Sequence, residues 1–276
     1  MLHSSDTLNS SQEIMSVPDI IATCSEAIFL SPHLDDAVLS CGATVAGLVD
    51  SGVDSRVLTL FAGHPNLKDC HDIARAFHEM CGLKDDAVAV RRAEDQVAVS
   101  ILGAHPVHIP LLDCVYRTHS SGGPRITNFE QIRGTGPINE LDLIETVAAA
   151  IASQIAPSGT PCIFAPLGIG GHVDHRIVRM AVEKLAELLP GRIPRVFYYE
   201  DQPYAAWSRV GHQVGPGRPW VATPAGKHWR AKVRAVAAYR SQVSMLWPDV
   251  RRMKEDLLGY AVTVGDGLAA ERYWGQ

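Results

Sequence analysis

The chain has 276 residues, of which 46% are hydrophobic and 20% charged, and its formal net charge is -5. This composition is typical of a globular protein and excludes a disordered or fibrous chain. Because the lysines and arginines are scattered and outnumbered by acidic residues, we expect no nucleic-acid partner. No apolar run reaches the ~20 residues of a membrane-spanning helix.

The ends and the cysteines give further expectations. Residues 1–20 are polar and Ser-rich and lack the basic and apolar regions of a secretory signal, so we expect a flexible leader there and one domain over residues 21–276. The cysteines form no CxxC pair, which predicts that all six are free thiols of a cytoplasmic protein: Cys24, Cys41, Cys70, Cys81, Cys114 and Cys162. The sequence leaves the oligomeric state open.

Short apolar runs alternate with segments of helical period, which predicts βαβ units and a mainly parallel sheet. The predicted strands are 27–30, 56–61, 107–111, 162–165 and 195–199. The predicted helices are 38–49, 69–80, 87–102, 141–155, 175–189, 227–239 and 249–257. We therefore predict an α/β fold, a Rossmann-like doubly wound sheet with a small C-terminal cap region.

Two stretches interrupt this alternation. Residues 113–137 are rich in glycine, serine and proline and are too long for a simple connector, which favours a functional lid. Residues 201–226 are rich in glycine and proline, and we expect them to form the small cap.

Two short polar segments each follow the carboxyl end of a predicted strand. Pro32-His33-Leu34-Asp35-Asp36 follows the first strand, and Gly171-His172-Val173-Asp174-His175 follows the fourth. In a doubly wound sheet these strands are neighbours where the strand order reverses, so both segments would face one crevice.

Two imidazoles and one carboxylate with an open fourth position form a catalytic zinc site. We predict that His33, Asp36 and His175 bind zinc, or another divalent metal such as Fe²⁺. Asp35 cannot easily share that geometry but can act as general base toward water. We predict that His172 stabilises the oxyanion and protonates the leaving amine, and that Asp174 holds its imidazole in one tautomer.

A simpler interpretation exists for each segment. Asp35 and Asp36 could cap the following helix, because carboxylates accept hydrogen bonds from helix N-termini, and His172 to His175 could be a solvated helix start. The position of both segments at the ends of adjacent strands favours the metal site.

The two segments resemble a known family. His33-Leu34-Asp35-Asp36 with Gly42, and His172-Val173-Asp174-His175, are similar to the signature motifs of the PIG-L/LmbE-like N-acetylglucosamine deacetylases. Further similarity lies at Arg91-x-x-Glu94, at residues 199–205 and at residues 239–242, so that it spans roughly residues 27–245. Leu34 and Ala37 depart from the usual first motif, which has Pro and Glu there, but neither is a ligand position.

The resemblance implies zinc held by His33, Asp36 and His175, with Asp35 as base and His172 at the oxyanion, as the spacing also predicts. It further implies that Arg91 contacts substrate, although a helical arginine is more often a surface residue. We expect hydrolysis of the N-acetyl amide of an amino-sugar conjugate to free amine and acetate.

Three alternatives remain open at this point. The first is an amidase acting on a larger thiol conjugate or antibiotic intermediate. The second is a non-haem Fe(II) oxygenase, which uses the same ligand types but typically a β-rich fold. The third, a dinucleotide-binding or purely interacting Rossmann domain, lacks support because no G-x-G-x-x-G sequence follows the first strand.

Overall fold

The computed structural model describes residues 13–15, 24, 26–66, 70–84, 86–157, 161–207 and 215–275. Within these residues one sheet of eight strands runs through the molecule, in the order β1-β7-β8-β6-β5-β2-β3-β4. The strands are β1 Glu13–Met15, β2 Glu26–Ser31, β3 Asp54–Thr59, β4 His105–His108, β5 Cys162–Pro166, β6 Arg195–Tyr199, β7 Pro219–Ala222 and β8 Glu271–Trp274.

The helices alternate with the strands along most of the chain. They are α1 Asp36–Asp50, α2 Asp72–Met80, α3 Ala87–Ile101, α4 Leu141–Ser153, α5 Val173–Glu183, α6 Leu185–Leu188, α7 Tyr204–Trp207, α8 Gly226–Val236, α9 Arg240–Leu246 and α10 Val250–Val264. Two 3-10 turns, Cys114–Tyr116 and Phe129–Ile132, lie in the long connection before α4. The bounds of the predicted helices differ by a few residues, except that α10 continues to Val264, beyond its predicted end at 257. The helices α7 and α9 were not predicted.

Alternate residues of each central strand enter opposite cores, as the two-residue period of a strand requires. Ala27 and Phe29 of β2 pack with α1, α3 and the C-terminal helices, whereas Ile28 and Leu30 pack with α4, α5 and α6. Both faces of the sheet are therefore covered, and the predicted doubly wound α/β class is confirmed.

The strand order reverses between β2 and β5. The strand β2 pairs in parallel with β3 on one side and with β5 on the other. In an open α/β sheet, ligands bind at the carboxyl ends of the strands that flank this point. The sheet thus brings the two polar segments to one edge.

The terminal regions differ from expectation. Within the predicted leader, residues 13–15 form β1, which pairs in parallel with β7; residues 1–12 and 16–20 lie outside the described part. The strand β7, within the predicted cap 201–226, and β8, near the end of the described residues, extend the sheet through antiparallel pairing of β8 with β6 and β7. Each of these strands has only four residues, which is too short for periodicity to give a signal.

One pair of cysteines is not free. Cys24 and Cys162 form a disulfide, with Cα atoms 5.5 Å apart, so the prediction of six free thiols is wrong. Cys24 precedes β2, and Cys162 opens the neighbouring strand opposite Ala27, which brings together cysteines far apart in sequence. The other cysteines of the described residues are buried and form no disulfide: Cys41, Cys70, Cys81 and Cys114.

The long connection 113–137 is anchored to α5. The backbone N–H of Gly134 donates to the carbonyl of Gly171 over 3.0 Å. Arg176 donates to the carbonyls of Gly134 and Gly136 over 2.9 and 2.6 Å.

Among the described residues, no helix combines the length and apolar character needed to cross a bilayer.

Candidate metal centre and active site

Two strand-to-helix connections form the site. The first leaves β2 at Ser31 and enters α1 at Asp36. The second leaves β5 at Pro166, passes a turn in which Gly170 and Gly171 have φ of +86° and +70°, and enters α5 at Val173. Glycine is the residue that adopts such angles without strain. A Cβ at Gly170 would also lie 2.7 Å from Cγ of Tyr204.

The three predicted ligands converge. Oδ2 of Asp36 lies 3.1 Å from Nδ1 of His33 and 3.2 Å from Nε2 of His175. All three residues are buried. The segments that carry them are far apart in the chain, so the prediction of a single cluster depended on the order of the strands, which the structure bears out.

Each of the two imidazoles is backed by a second carboxylate. Nδ1 of His175 lies 2.7 Å from Oδ1 of Asp201, and Nε2 of His33 lies 3.0 Å from Oδ2 of Asp174. A carboxylate on one ring nitrogen fixes the tautomer and leaves the other nitrogen as a basic ligand atom. The ring atoms left facing Asp36 are Nε2 of His175 and Nδ1 of His33.

A buried polar atom without a partner tests whether a cation fits here. Nε2 of His175 is buried and makes no well-aligned hydrogen bond, although it lies close to Oδ2 of Asp36. Buried polar groups are normally satisfied, and an exception calls for an explanation such as an ion. The nitrogen and carboxylate donors suit zinc and related divalent metals.

Charge distribution within the cluster agrees with these contacts. Burial disfavours the ionised form of Asp36, but the charge of His175 outweighs it and holds the pKa of this carboxyl well below its usual range. Burial opposes protonation of His175, yet Asp36 and the hydrogen bond to Asp201 raise its pKa to about 9. Since a ligating imidazole is neutral, metal binding here would release protons.

The structure corrects the partner predicted for His172. The carboxylate of Asp174 contacts His33, the backbone N–H of Cys114 and the guanidinium of Arg117, at 3.0, 3.0 and 2.7 Å, and no hydrogen bond joins it to the His172 ring. Instead, the backbone N–H of Asp174 donates to Nδ1 of His172 over 3.2 Å. Because α5 begins at Val173, the Asp174 amide is one of the unpaired donors of the first turn and the His172 ring caps it.

This hydrogen bond fixes the state of His172. Nδ1 is an acceptor, so the neutral ring carries its proton on Nε2. Burial, followed by the nearby His33 and His175, holds the pKa of His172 well below its usual value. His172 is therefore a neutral hydrogen-bond donor that faces the cavity.

Asp35 does not act as a helix cap. It occupies the N-cap position of α1, but its side chain makes no capping hydrogen bond. The backbone N–H of Ala37 donates instead to Oγ of Ser31 over 3.0 Å. Burial and the charge of Asp36 raise the pKa of Asp35 to about 7. The simpler capping interpretation thus fails for this carboxyl, which lines the cavity.

Arg91 is buried and not a surface residue. Its guanidinium lies 3.9 Å from both Oδ1 of Asp35 and Oδ2 of Asp113 and above the ring of Phe77. Nε of Arg91 is buried and makes no hydrogen bond to the described residues. The helix α3 thus presents a cation to the cavity floor, where the resemblance places a substrate contact.

Sequence reasoning missed three carboxylate or guanidinium groups of this site. Asp201 follows β6 and accepts hydrogen bonds from the backbone N–H groups of Gly168 and Ile169 in the glycine turn. Asp113 lies 3.7 Å from Nε2 of His33, and Arg117 pairs with Asp174. The strand-end rule that identified the two motifs would also have identified Asp201, whereas nothing in the sequence marked Arg117.

Other ligand sets exist within the described residues. Donor atoms within 4.8 Å of one another occur in His33 with His172 and His175, in Cys114 with His172 and Asp174, and in His33 with Asp113 and Asp174. The last two share the Asp174 carboxylate, which Arg117 and the Cys114 amide already bind. The set that includes His175 is the one with an unsatisfied buried nitrogen.

A cavity of about 570 Å³ opens above the cluster. Charged and polar side chains form its floor: His33, Asp35, Asp36, Arg91, Asp113 and His172. Its walls come from α2, α7, α9 and the 3-10 turn Phe129–Ile132. The predicted lid and cap segments both reach the cavity, since Arg133 lies over the ring of Tyr204 at 4.8 Å.

Comparison with known proteins agrees with the family resemblance of the two polar segments. Residues 28–186 match the sequence profile of the PIG-L family, described as GlcNAc-PI de-N-acetylase. The chain is 27% identical over 241 residues to 2'-N-acetylparomamine deacetylase of Niallia circulans, an alignment that covers 82% of this chain and 84% of that protein.

Two solved structures are similar over most of their length. The zinc-inhibited form of teicoplanin deacetylase Orf2 is 29% identical, with a TM-score of 0.78 over 90% of this chain and 97% of that chain. The A40926 pseudoaglycone deacetylase Dbv21 is 30% identical, with a TM-score of 0.75 over 91% of this chain and 96% of that chain. The match to the PIG-L family over residues 28–186 includes both polar segments.

Proposed function

We propose that this chain, which belongs to the PIG-L family of GlcNAc-PI de-N-acetylases, hydrolyses the N-acetyl amide of an amino-sugar conjugate with zinc as its metal. The reaction class, N-deacetylation, follows from the family and from the deacetylase relatives. The metal identity and the residue roles are our proposal. The strands β2 to β8 lie in one sheet, which supports one deacetylase domain over residues 21–276.

The observation that carries the proposal is the convergence of His33, Asp36 and His175, with Asp174 and Asp201 behind the two imidazoles. We assign the metal to these three ligands. When bound, a divalent cation polarises a carbonyl and makes water more acidic. The two backing carboxylates would keep the ligand nitrogens unprotonated and correctly oriented.

We assign the proton transfers to Asp35 and the stabilisation of the developing oxyanion to His172. Asp35 takes a proton from water as the water oxygen bonds to the acetyl carbon; its pKa of about 7 suits a general base at neutral pH. Nε2–H of His172 donates a hydrogen bond to the carbonyl oxygen as negative charge develops there. Because His172 is held neutral, we assign delivery of the proton to the amine nitrogen to Asp35, as the C–N bond breaks and acetate leaves.

Arg91 would complete the floor of the site. It balances the charges of Asp35 and Asp113 and has a donor atom without a partner, so we propose that it binds a polar group of the sugar.

The cellular location of the protein stays a prediction. Because Cys24 and Cys162 form a disulfide, the cysteine pattern no longer argues for a reducing compartment such as the cytoplasm.

An assay of acetate and free amine tests the proposal. The chain is loaded with zinc, its metal content is measured, and it is presented with a panel of N-acetylhexosamine conjugates. We expect equal amounts of amine and acetate, loss of activity after chelation and recovery on adding zinc. Retained metal without hydrolysis of any acetamide would contradict the proposal, and turnover that needs oxygen would favour an Fe(II) oxygenase.

A further inference from the structure

The Asp174 carboxylate is held on both of its oxygens. Oδ1 accepts a hydrogen bond from Nη2 of Arg117 over 2.7 Å. Oδ2 accepts from the backbone N–H of Cys114 and faces Nε2 of His33, each over 3.0 Å. A carboxylate group turns easily about its last bond, because that torsion has a broad profile. Contacts on both oxygens remove this freedom and fix the direction in which Oδ2 meets the His33 ring.

Arg117 and Cys114 belong to one short segment at the start of the long connection 113–137. Nη1 of Arg117 donates to the carbonyl of Leu112 over 3.0 Å, which closes the segment on itself. The 3-10 turn Cys114–Tyr116 lies inside this closure, and it brings both donors to the same carboxylate. Part of the predicted lid segment therefore holds a side chain of the site in place.

Glu140 in turn holds Arg117. Nε and Nη2 of Arg117 donate to Oε1 and Oε2 of Glu140 over 2.9 and 3.1 Å, the bidentate arrangement of a guanidinium with a carboxylate. Glu140 occupies the N-cap position of α4, and the Arg117 guanidinium also lies 5.3 Å from the ring centroid of Phe61. Because Arg117 is buried, these contacts leave its guanidinium little freedom to move.

One guanidinium thus serves two carboxylates. Glu140 alone would balance the charge of Arg117, so the shorter contact to Asp174 is not needed to satisfy the arginine. It is Asp174 that needs the cation, because a buried carboxylate without one is strongly unfavourable. The carboxylate that gains is the one behind His33, and outer partners of metal ligands change metal affinity by ~10- to 100-fold.

We propose that Arg117, itself fixed by Glu140, is a positioning residue for the metal centre, which acts through Asp174 on His33 and so sets the affinity for zinc. This assignment rests on the proposed function, because it takes His33 as a metal ligand. Neither Arg117 nor Glu140 lines the cavity, so their effect should fall on metal binding and not on contact with the substrate.

The test measures the zinc dissociation constant of the full chain by competition with a chromophoric chelator. Arg117→Lys keeps the positive charge but loses the planar fork that reaches both carboxylates. We expect the dissociation constant to rise ~10-fold, the lower end of the range for outer partners of a ligand.

A milder variant carries the test if Arg117→Lys fails to fold. Glu140→Gln keeps one oxygen that accepts from Arg117 and turns the other acceptor into a donor. We expect the zinc dissociation constant to rise about threefold, the equivalent of one modest net hydrogen bond.

Arg125→Met is the matched control. Nε of Arg125 lies 3.5 Å from Oε1 of Glu140, so this arginine faces the same carboxylate as Arg117. None of its contacts within the described part of the chain reaches Asp174. The variant removes a cation beside Glu140 without touching the proposed path, and zinc affinity should stay as in the wild type.

A double-mutant cycle separates positioning of the ligand from a general loss of stability. If Arg117 acts through Asp174, Arg117→Lys should change the zinc dissociation constant by less than about twofold in a chain that already carries Asp174→Asn, because the two effects are coupled. Urea denaturation of the metal-free chains gives the stability of each variant independently of zinc.

The outcomes distinguish this assignment from the function on which it rests. Unchanged zinc affinity in the folded variants, or an equally large effect of Arg117→Lys beside Asp174→Asn, would overturn the role of Arg117 and leave the deacetylase intact. Weaker zinc binding in the variants of a chain that hydrolyses no acetamide would support the role of Arg117 and contradict the function. A wild-type chain that binds no zinc would contradict both.

Discussion

Oδ1 of Asp201 lies 2.7 Å from Nδ1 of His175, on the opposite side of the imidazole from the Asp36 carboxylate. The second oxygen of Asp201 accepts hydrogen bonds from Gly168 and Ile169, so the carboxylate is itself held in place by the glycine turn. This chain of contacts links β6, the turn after β5 and a proposed metal ligand. It makes Asp201 a positioning residue for His175.

Asp201→Asn should weaken metal binding while preserving the fold. If the amide oxygen keeps its bonds to the turn, the NH₂ group faces Nδ1 of His175 and moves the imidazole proton to Nε2, where it blocks ligation. We expect the metal dissociation constant to rise ~10- to 100-fold, measured by competition with a chromophoric chelator. Asp142→Asn, at an exposed position of α4, is the control. An unchanged dissociation constant would mean that Asp201 does not orient a ligand.

Asp35→Asn should separate metal binding from turnover. The substitution keeps the size of the side chain but removes the proton acceptor. We expect metal content like that of the wild type and a fall in kcat of at least ~100-fold, which is the contribution expected of general acid–base catalysis. Measurement of metal content and acetate release on the same preparation checks both. A near-normal kcat would refute the assignment of Asp35 as base.

Arg91→Met should act mainly on substrate binding. The variant retains the apolar stem of the side chain but removes the guanidinium on the cavity floor. We expect KM to rise about tenfold, the equivalent of one charged hydrogen bond, with metal content unchanged. Arg234→Met, at an exposed position of α8, should have no effect. A loss of bound metal in the Arg91 variant would instead indicate a structural role.

A buried ion pair stabilises the middle of α1. Nζ of Lys232 lies 2.7 Å from Oε1 of Glu271 and donates to the carbonyl of Ser40, while Glu271 accepts from the backbone N–H groups of Ala43 and Thr44. In a regular helix Ser40 and Thr44 bond to each other. Lys232 therefore binds the carbonyl, and Glu271 the backbone N–H, that face each other in one hydrogen bond of α1. This packing also explains Gly42, where a Cβ would lie 2.9 Å from Cγ of Lys232.

Removal of one partner of this pair should destabilise the protein strongly. Lys232→Met leaves the Glu271 carboxylate buried without its cation, and we expect the free energy of unfolding to fall by ~3–5 kcal/mol, measured by urea denaturation. The double variant with Glu271→Gln should recover part of this loss, because no unpaired charge remains. Lys254→Met, on the exposed face of α10, should change it by less than ~0.5 kcal/mol. A small effect of Lys232→Met would contradict the importance of the pair.

The sequence predicted those parts of the fold that depend on local pattern. The strands β2, β5 and β6 are buried apolar runs, and α1 and α3 have clear helical periods, so each was identified with bounds close to those observed. The strands β7 and β8 are stable only because they pair with each other and with distant strands. Such pairing leaves no local pattern in four residues.

The site, like the fold, was predictable from the sequence only in part. His33, Asp36 and His175 were predictable because strand ends at the reversal point of a sheet must meet. The direction of the Asp174 side chain depends on where α5 begins, and a spacing of two residues from His172 could not show it. Likewise, the burial of Arg91 depends on how α3 packs beside the cavity, which its sequence neighbourhood does not reveal.

The most direct test of the metal centre is anomalous diffraction at the zinc absorption edge from a crystal of the zinc-loaded chain. We expect one peak, bounded by Nδ1 of His33, a carboxylate oxygen of Asp36 and Nε2 of His175. A peak at Cys114, His172 and Asp174, or at His33, Asp113 and Asp174, would contradict the ligand assignment. No peak at the carboxyl ends of β2 and β5 would contradict the account of the site as a whole.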